Sequence, residues 1–89
     1  MDGLEELRKA IDGIDSVICD LLRTRKELVL KVAEYKRINV MPVLDSKREE
    51  EKLESLKKRA NDDIEEEYII KIFQNIMDES KKIQNDYLK

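Results

Sequence analysis

The chain has 89 residues, 44% of them charged, with 18 Lys and Arg against 21 Asp and Glu and a formal charge of −3. The two signs are interspersed, which speaks against nucleic acid as the main partner, because proteins that bind it carry a basic surplus. One cysteine, Cys19, and no histidine exclude an intrachain disulfide, a Cys/His zinc site and the general base most used near neutral pH.

The first residues hold no apolar signal-peptide core. No run approaches about 18 apolar residues, so no membrane span is expected. The expectation is a reduced, cytoplasmic protein with one domain over residues 1–89. A domain this small buries little, and without staples it needs a partner.

Two glycines and one proline leave room for long helices, and the fold class expected is all-α, with one long and two shorter helices. The first is predicted over about 4–38. Its apolar residues Leu4, Leu7, Ile11, Ile14, Ile18, Leu21, Leu28, Val32 and Tyr35 alternate in steps of three and four, a heptad-like seam. Pro42 stops it, since proline lacks an N–H and pushes Met41 away from helical angles. The second is predicted over about 46–60, with Ser46 and Glu49 as a capping box and Leu53 and Leu56 as its ridge. The third is predicted over about 64–87, with Asp63 and Glu66 as a cap pair and a stripe through Ile69, Ile72, Phe73, Ile76, Met77 and Ile83. At 1.5 Å per residue the first helix spans roughly 50 Å. The two shorter helices cannot cover that seam, so an intertwined homodimeric bundle is expected.

The residues that break the stripes carry the chemical information. Arg25 is the one polar member of the first helix's a/d register. It reads either as an internal ion pair that fixes register or as an anion-binding group. Lys36 lies eleven residues on, three turns plus about 20°, so both face the same way. Alone it also reads as a solvated lysine favoured at a helix C-terminus. Ser80 and Gln84, i and i+4 on a face that continues an apolar stripe, read as a frayed polar end or, with Arg25 and Lys36, as the wall of a polar pocket. Arg8 precedes Arg25 by seventeen residues, about 25 Å. It is a surface residue or, in an antiparallel dimer, a contributor to the other chain's pocket.

The pattern Leu7-Arg8-x-x-Ile11-Asp12-x-Ile14-Asp15, Leu21-Leu22-x-x-Arg25 and Val32-x-x-x-Lys36 resembles the first helix of the all-helical, AroQ-class chorismate mutases. The resemblance continues through Pro42-Val43-x-Asp45-x-x-Arg48-Glu49 and Ile72-Phe73-x-x-Ile76-x-x-x-Ser80-x-x-x-Gln84, nearly the whole chain. It implies an intertwined helical dimer that rearranges the chorismate dianion to prephenate without cofactor or metal. It further implies that Arg8 of the partner chain and Arg25 bind the two carboxylates, and that Lys36 and Gln84 contact the ether oxygen. By the same resemblance Glu49 with the backbone near Asp45 is expected to hold the ring hydroxyl, and Arg48 and Ser80 to fill supporting positions. Glu49 then has two competing assignments, cap and ligand contact, and Asp45 is the residue able to take over the cap. Asp12, Asp15 and Cys19 read as structural. Competing readings are an isochorismate pyruvate-lyase on the same fold and a non-catalytic helical dimerisation module. With no further domain in view, a monofunctional, unregulated enzyme is expected.

Overall fold

A computed structural model describes residues 3–89; Met1 and Asp2, which open the N-terminal stretch read above for targeting, lie outside it. Three helices run in order: α1 over Gly3–Ile38, α2 over Ser46–Lys57 and α3 over Asp63–Tyr87, with no strand among the described residues. No helix is long and apolar enough to cross a membrane among those residues.

Glu5 and Glu6 in the first turn of α1 and Lys36 and Arg37 in its last complement the helix dipole. The helix closes in a Schellman motif: Met41 N–H donates to the Lys36 carbonyl at 2.8 Å, and Val40 N–H to that of Arg37 at 3.3 Å. The motif requires a left-handed residue. Val40 fills that place at φ 52°, although glycine is the residue that takes it without steric cost.

Both caps fall one residue earlier than the sequence pattern suggests. Asp45, not Ser46, caps α2, its carboxylate accepting from Arg48 N–H at 3.0 Å. The expected Ser46–Glu49 capping box does not form, and the Glu49 side chain is released from the helix end. Asp62, not Asp63, caps α3 through Glu65 N–H at 2.7 Å. In each case two adjacent capping residues compete, and the one that keeps non-helical angles wins. α2 also stops at Lys57 instead of continuing to Ala60. Arg59 N–H and Ala60 N–H donate three residues back, to Leu56 and Lys57, and this tightening ends the α-helix.

α3 packs against both α1 and α2. Its C-terminal end is tied to α1 by Tyr87 Oη, which donates to Glu34 at 2.8 Å, while Arg37 Nε donates to the same carboxylate at 3.0 Å. Arg37 first and Tyr87 second hold the Glu34 carboxyl down to about 2.

The enclosed core is very small. Ala33 and Met77 are the apolar residues counted as buried. Along α1, Leu7, Ile11, Ile14, Ile18, Leu21 and Leu28 all remain exposed, Leu7 at 64% and Leu21 at 63%. Cys19 lies on this same open stretch and is exposed too. The radius of gyration is 16.5 Å, against roughly 12 Å for a compact chain of this length. A rod of 58 × 26 × 15 Å has therefore left its main apolar seam uncovered.

Replacing Val40 by glycine removes the left-handed strain and loses no packing, because this side chain is 92% exposed. Val40→Gly is expected to stabilise the protein by about 1 kcal/mol, read as a raised midpoint in urea. An unchanged or lowered midpoint contradicts this account of the turn.

Candidate functional site

α1 and α2 both pack on α3, and between the three helices lies a cleft of about 310 Å³. This is the size of a small-molecule site. Val29, Val32, Phe73 and Met77 make its apolar part. Its polar part contains five cations, Arg25, Lys36, Arg48, Lys52 and Lys81, against two carboxylates, Asp45 and Glu49. In a chain that is acidic overall, this concentrates positive potential at one place.

Each polar side chain has a definite origin. Arg25 and Lys36 stand three turns apart on one face of α1, both half-buried. The Arg25 guanidinium donates to the Ser80 hydroxyl, which itself donates to the Ile76 carbonyl at 2.7 Å. Its recorded partner is thus a neutral group, and four of its five N–H donors are not used in that bond. Of the two readings of Arg25, the internal ion pair finds no carboxylate partner among the described residues. Lys36 is not a solvated terminal lysine. Its Nζ donates to the Val43 carbonyl at 2.7 Å, which aims the ammonium along the cleft wall and leaves two further donors.

On α3, Ser80 and Gln84 are both buried, so the polar end of this helix is packed and not frayed. Gln84 is 7% exposed, and its Oε1 is buried without a hydrogen-bond partner. An unsatisfied buried amide oxygen costs about 1–3 kcal/mol. The first turn of α2 adds Arg48 and Glu49, oriented by the Asp45 cap, and Lys52 follows one turn later.

Glu49 is not idle once released from capping. Lys81 Nζ on α3 lies 3.2 Å from its Oε1 and 3.3 Å from Asp78 Oδ1. The hydrogen bond that Lys81 donates to Glu49, ahead of that to Asp78, raises the Lys81 pKa above the ordinary lysine value. Lys81 and Lys52 are cleft residues that the sequence reading did not single out. Lys81 adjoins Ser80 on a helix end already marked as polar, and Lys52 stands four residues after Arg48. Those two spacings were the available signals.

Seven of the eight sequence-predicted residues therefore border one cleft: Arg25, Lys36, Asp45, Arg48, Glu49, Ser80 and Gln84. Arg8 does not. It is exposed near the far end of α1, 4.0 Å from Glu5. Among the described residues no group of His, Cys, Asp and Glu is arranged to hold a metal ion.

Fold and cleft together define a small three-helix protein with a cationic, half-apolar pocket of small-molecule size. The family described as chorismate mutase type II matches residues 7–85, and the chain belongs to it. It is 34% identical to the chorismate mutase of Methanocaldococcus jannaschii over all of this chain and 91% of that protein. It is 41% identical to a bifunctional chorismate mutase/prephenate dehydratase of Buchnera aphidicola, covering 97% of this chain and 24% of the larger protein. A more distant relative, at 24% identity over 98% of this chain and 68% of its own length, is the 4-amino-4-deoxychorismate mutase of Streptomyces pristinaespiralis. The crystal structure of chorismate mutase from Helicobacter pylori in complex with prephenate superposes with a TM-score of 0.85 at 34% identity, over 96% of this chain and 92% of that one.

The unpartnered Gln84 amide makes a direct prediction. Gln84→Leu removes a buried polar group of similar size and is expected to stabilise the ligand-free protein by about 1 kcal/mol. Chemical denaturation measures it. Destabilisation by a similar amount would mean that Gln84 is satisfied in solution and is part of the structural core.

Proposed function

We propose that this protein is a chorismate mutase: it converts chorismate to prephenate by a [3,3] rearrangement and works as a homodimer with two equivalent sites. The observation that carries the reading is the convergence of Arg25, Lys36 and the unsatisfied Gln84 on one small cleft in a chain of this family. In the reaction the ether C–O bond breaks as a new C–C bond forms between the enolpyruvyl side chain and the ring. No proton passes to or from the protein, so a chain without histidine is at no disadvantage.

The protein's task is to hold a flexible dianion in a compact, chair-like conformer and to stabilise charge that appears on the ether oxygen. A guanidinium grips a carboxylate bidentately, which suits Arg25 to one of the two carboxylates. Holding the substrate in a near-attack geometry supplies the orientation term. Lys36, fixed by the Val43 carbonyl, offers its remaining N–H donors to the ether oxygen. Gln84 offers its amide N–H to the same atom. The two ends of a primary amide have the same shape, so a flip exchanges Oε1 for the Nε2 donor. Donors preorganised for a developing negative charge are each worth roughly 3–4 kcal/mol. Glu49 and the backbone near Asp45 receive the ring hydroxyl, with Arg48 and Ser80 in support.

The second carboxylate needs another cation, and the uncovered seam of α1 indicates its source. A second copy laid antiparallel along that seam buries Leu7, Ile11, Ile14, Ile18 and Leu21 and brings its own Arg8 toward this cleft. A hollow of about 410 Å³ lined by Leu22, Ile72, Ile76 and Ile83, next to Arg25, adds to the surface such a partner covers. This reading places the enzyme in the cytoplasm, where a lone thiol such as Cys19 stays reduced.

The test is loss of chorismate absorbance with purified protein, with the product identified as prephenate. Release of pyruvate from isochorismate in a parallel incubation, with chorismate left unconverted, would instead favour the lyase. Lys36→Ala is expected to reduce kcat at least about a hundredfold and Lys36→Arg to restore little of it; full turnover in either removes Lys36 from the mechanism.

The shared site has a separate signature. Arg8→Ala and Lys36→Ala are each expected to be nearly inactive. Mixed in equal amounts and allowed to exchange, they form heterodimers in which one of the two sites is intact. With statistical pairing, about a quarter of wild-type activity returns. If mixing restores nothing while light scattering reports exchanged dimers, Arg8 does not act across the interface.

A further inference from the structure

Nine ion pairs occur among the described residues, and eight of them join residues three or four apart in the chain. The exception is Lys81–Glu49, which joins α3 to α2. It is also the pair in which both side chains are largely shielded, at 29% and 26% exposure. Every other pair has at least one partner more than half exposed, and such pairs contribute little. Lys81–Glu49 lies in the wall of the cleft, at the end where the ring substituent is received under the function proposed above.

The pair has two consequences for Glu49. Lys81 occupies Oε1, which fixes the carboxylate plane and leaves Oε2 to accept a hydrogen bond. Asp78, 3.3 Å from Nζ, also pairs with the ammonium. The Lys81 ammonium, which Asp78 shares, offsets much of the Glu49 charge, so the subsite presents an acceptor whose negative charge is already engaged. A ring hydroxyl, itself neutral, needs only that acceptor. A ring amine is an ammonium near neutral pH. Placed on Oε2, it stands beside the Lys81 ammonium inside a cleft that already contains four other cations. Like charges at that range repel strongly where water is partly excluded.

We propose that Lys81 is a positioning and specificity residue: by holding Glu49 it makes the ring subsite accept a hydroxyl and reject an amino group at the same ring position. This inference rests on the proposed mutase function. Discrimination arises from a repulsive element as much as from an attractive one. The 4-amino analogue named for the Streptomyces relative differs from chorismate at this one group, and it serves as the probe.

The experiment compares wild-type protein with Lys81→Met and Lys81→Arg. KM and kcat are measured for chorismate, and Ki for 4-amino-4-deoxychorismate as a competitor of chorismate turnover. In Lys81→Met the KM for chorismate is expected to rise about tenfold with kcat changed much less, and the ratio of Ki to KM to fall by at least about tenfold, because Glu49 is then free to pair with the amine. Lys81→Arg, which keeps the charge, is expected to retain the wild-type ratio. A general loss of folded protein lowers the apparent kcat and leaves both constants in the ratio untouched. A ratio unchanged in Lys81→Met overturns the inference, as does a ratio in Lys81→Arg that falls as far as in Lys81→Met. Wild-type protein that does not turn over chorismate removes the functional reading itself. Active wild type with an unchanged ratio removes only the role of Lys81.

Discussion

An apolar face about 50 Å long on one helix is the constraint to which the rest of the molecule answers. α3, with 25 residues, packs on the C-terminal part of α1, and the 12-residue α2 packs on α3, so most of that face stays open. The covered part becomes the cleft. The open part retains enough aliphatic surface to specify a long interface, and the second copy proposed for it turns an incomplete domain into a paired one. Fold and assembly then become one equilibrium, with stability inseparable from protomer concentration.

The cleft is unusual in how few of its polar groups are paired with opposite charge. Arg25 rests on a hydroxyl and Lys36 on a backbone carbonyl, while the Gln84 oxygen has no partner. Such groups are held in position while much of their hydrogen-bonding capacity is unspent. This is the condition under which a bound anion gains most, since little has to be broken before it is received. The exception is Glu49, tied to Lys81. It is also the residue in this cluster whose proposed partner is a hydroxyl.

Much of this was legible in the sequence. Three helices follow from the near absence of glycine and proline and from stripes of period 3.5 to 3.6. Arg25 stood out as the one polar residue in an otherwise apolar register, and Ser80 and Gln84 as polar residues on an apolar face. What was not legible has physical reasons. Asp45 against Ser46, and Asp62 against Asp63, are neighbours with similar capping ability, and the direction in which the chain enters the helix decides between them. The left-handed turn at Val40 runs against the preference of a β-branched residue, so no local propensity announces it. Lys81 and Glu49 are 32 residues apart on different helices, and single-chain spacing carries no information about such a meeting. Arg8 read from spacing as a surface residue or a contributor to a partner's pocket, only the resemblance favoured the second, and one chain leaves it far from the cleft.

The rigidity of α1 sets unequal tolerances for changes of length. Arg25 and Lys36 share the cleft because eleven residues make close to three whole turns. One inserted residue between them swings Lys36 by about 100°, and no side-chain adjustment recovers the register. The stretch from Lys58 to Asp62 lines no part of the cleft, and loops of this kind absorb extra residues at small entropic cost. Descendants of this chain should therefore differ by insertions and deletions in the α2–α3 connection, while the helical segment from Arg25 to Lys36 keeps its residue count even where its exposed side chains change.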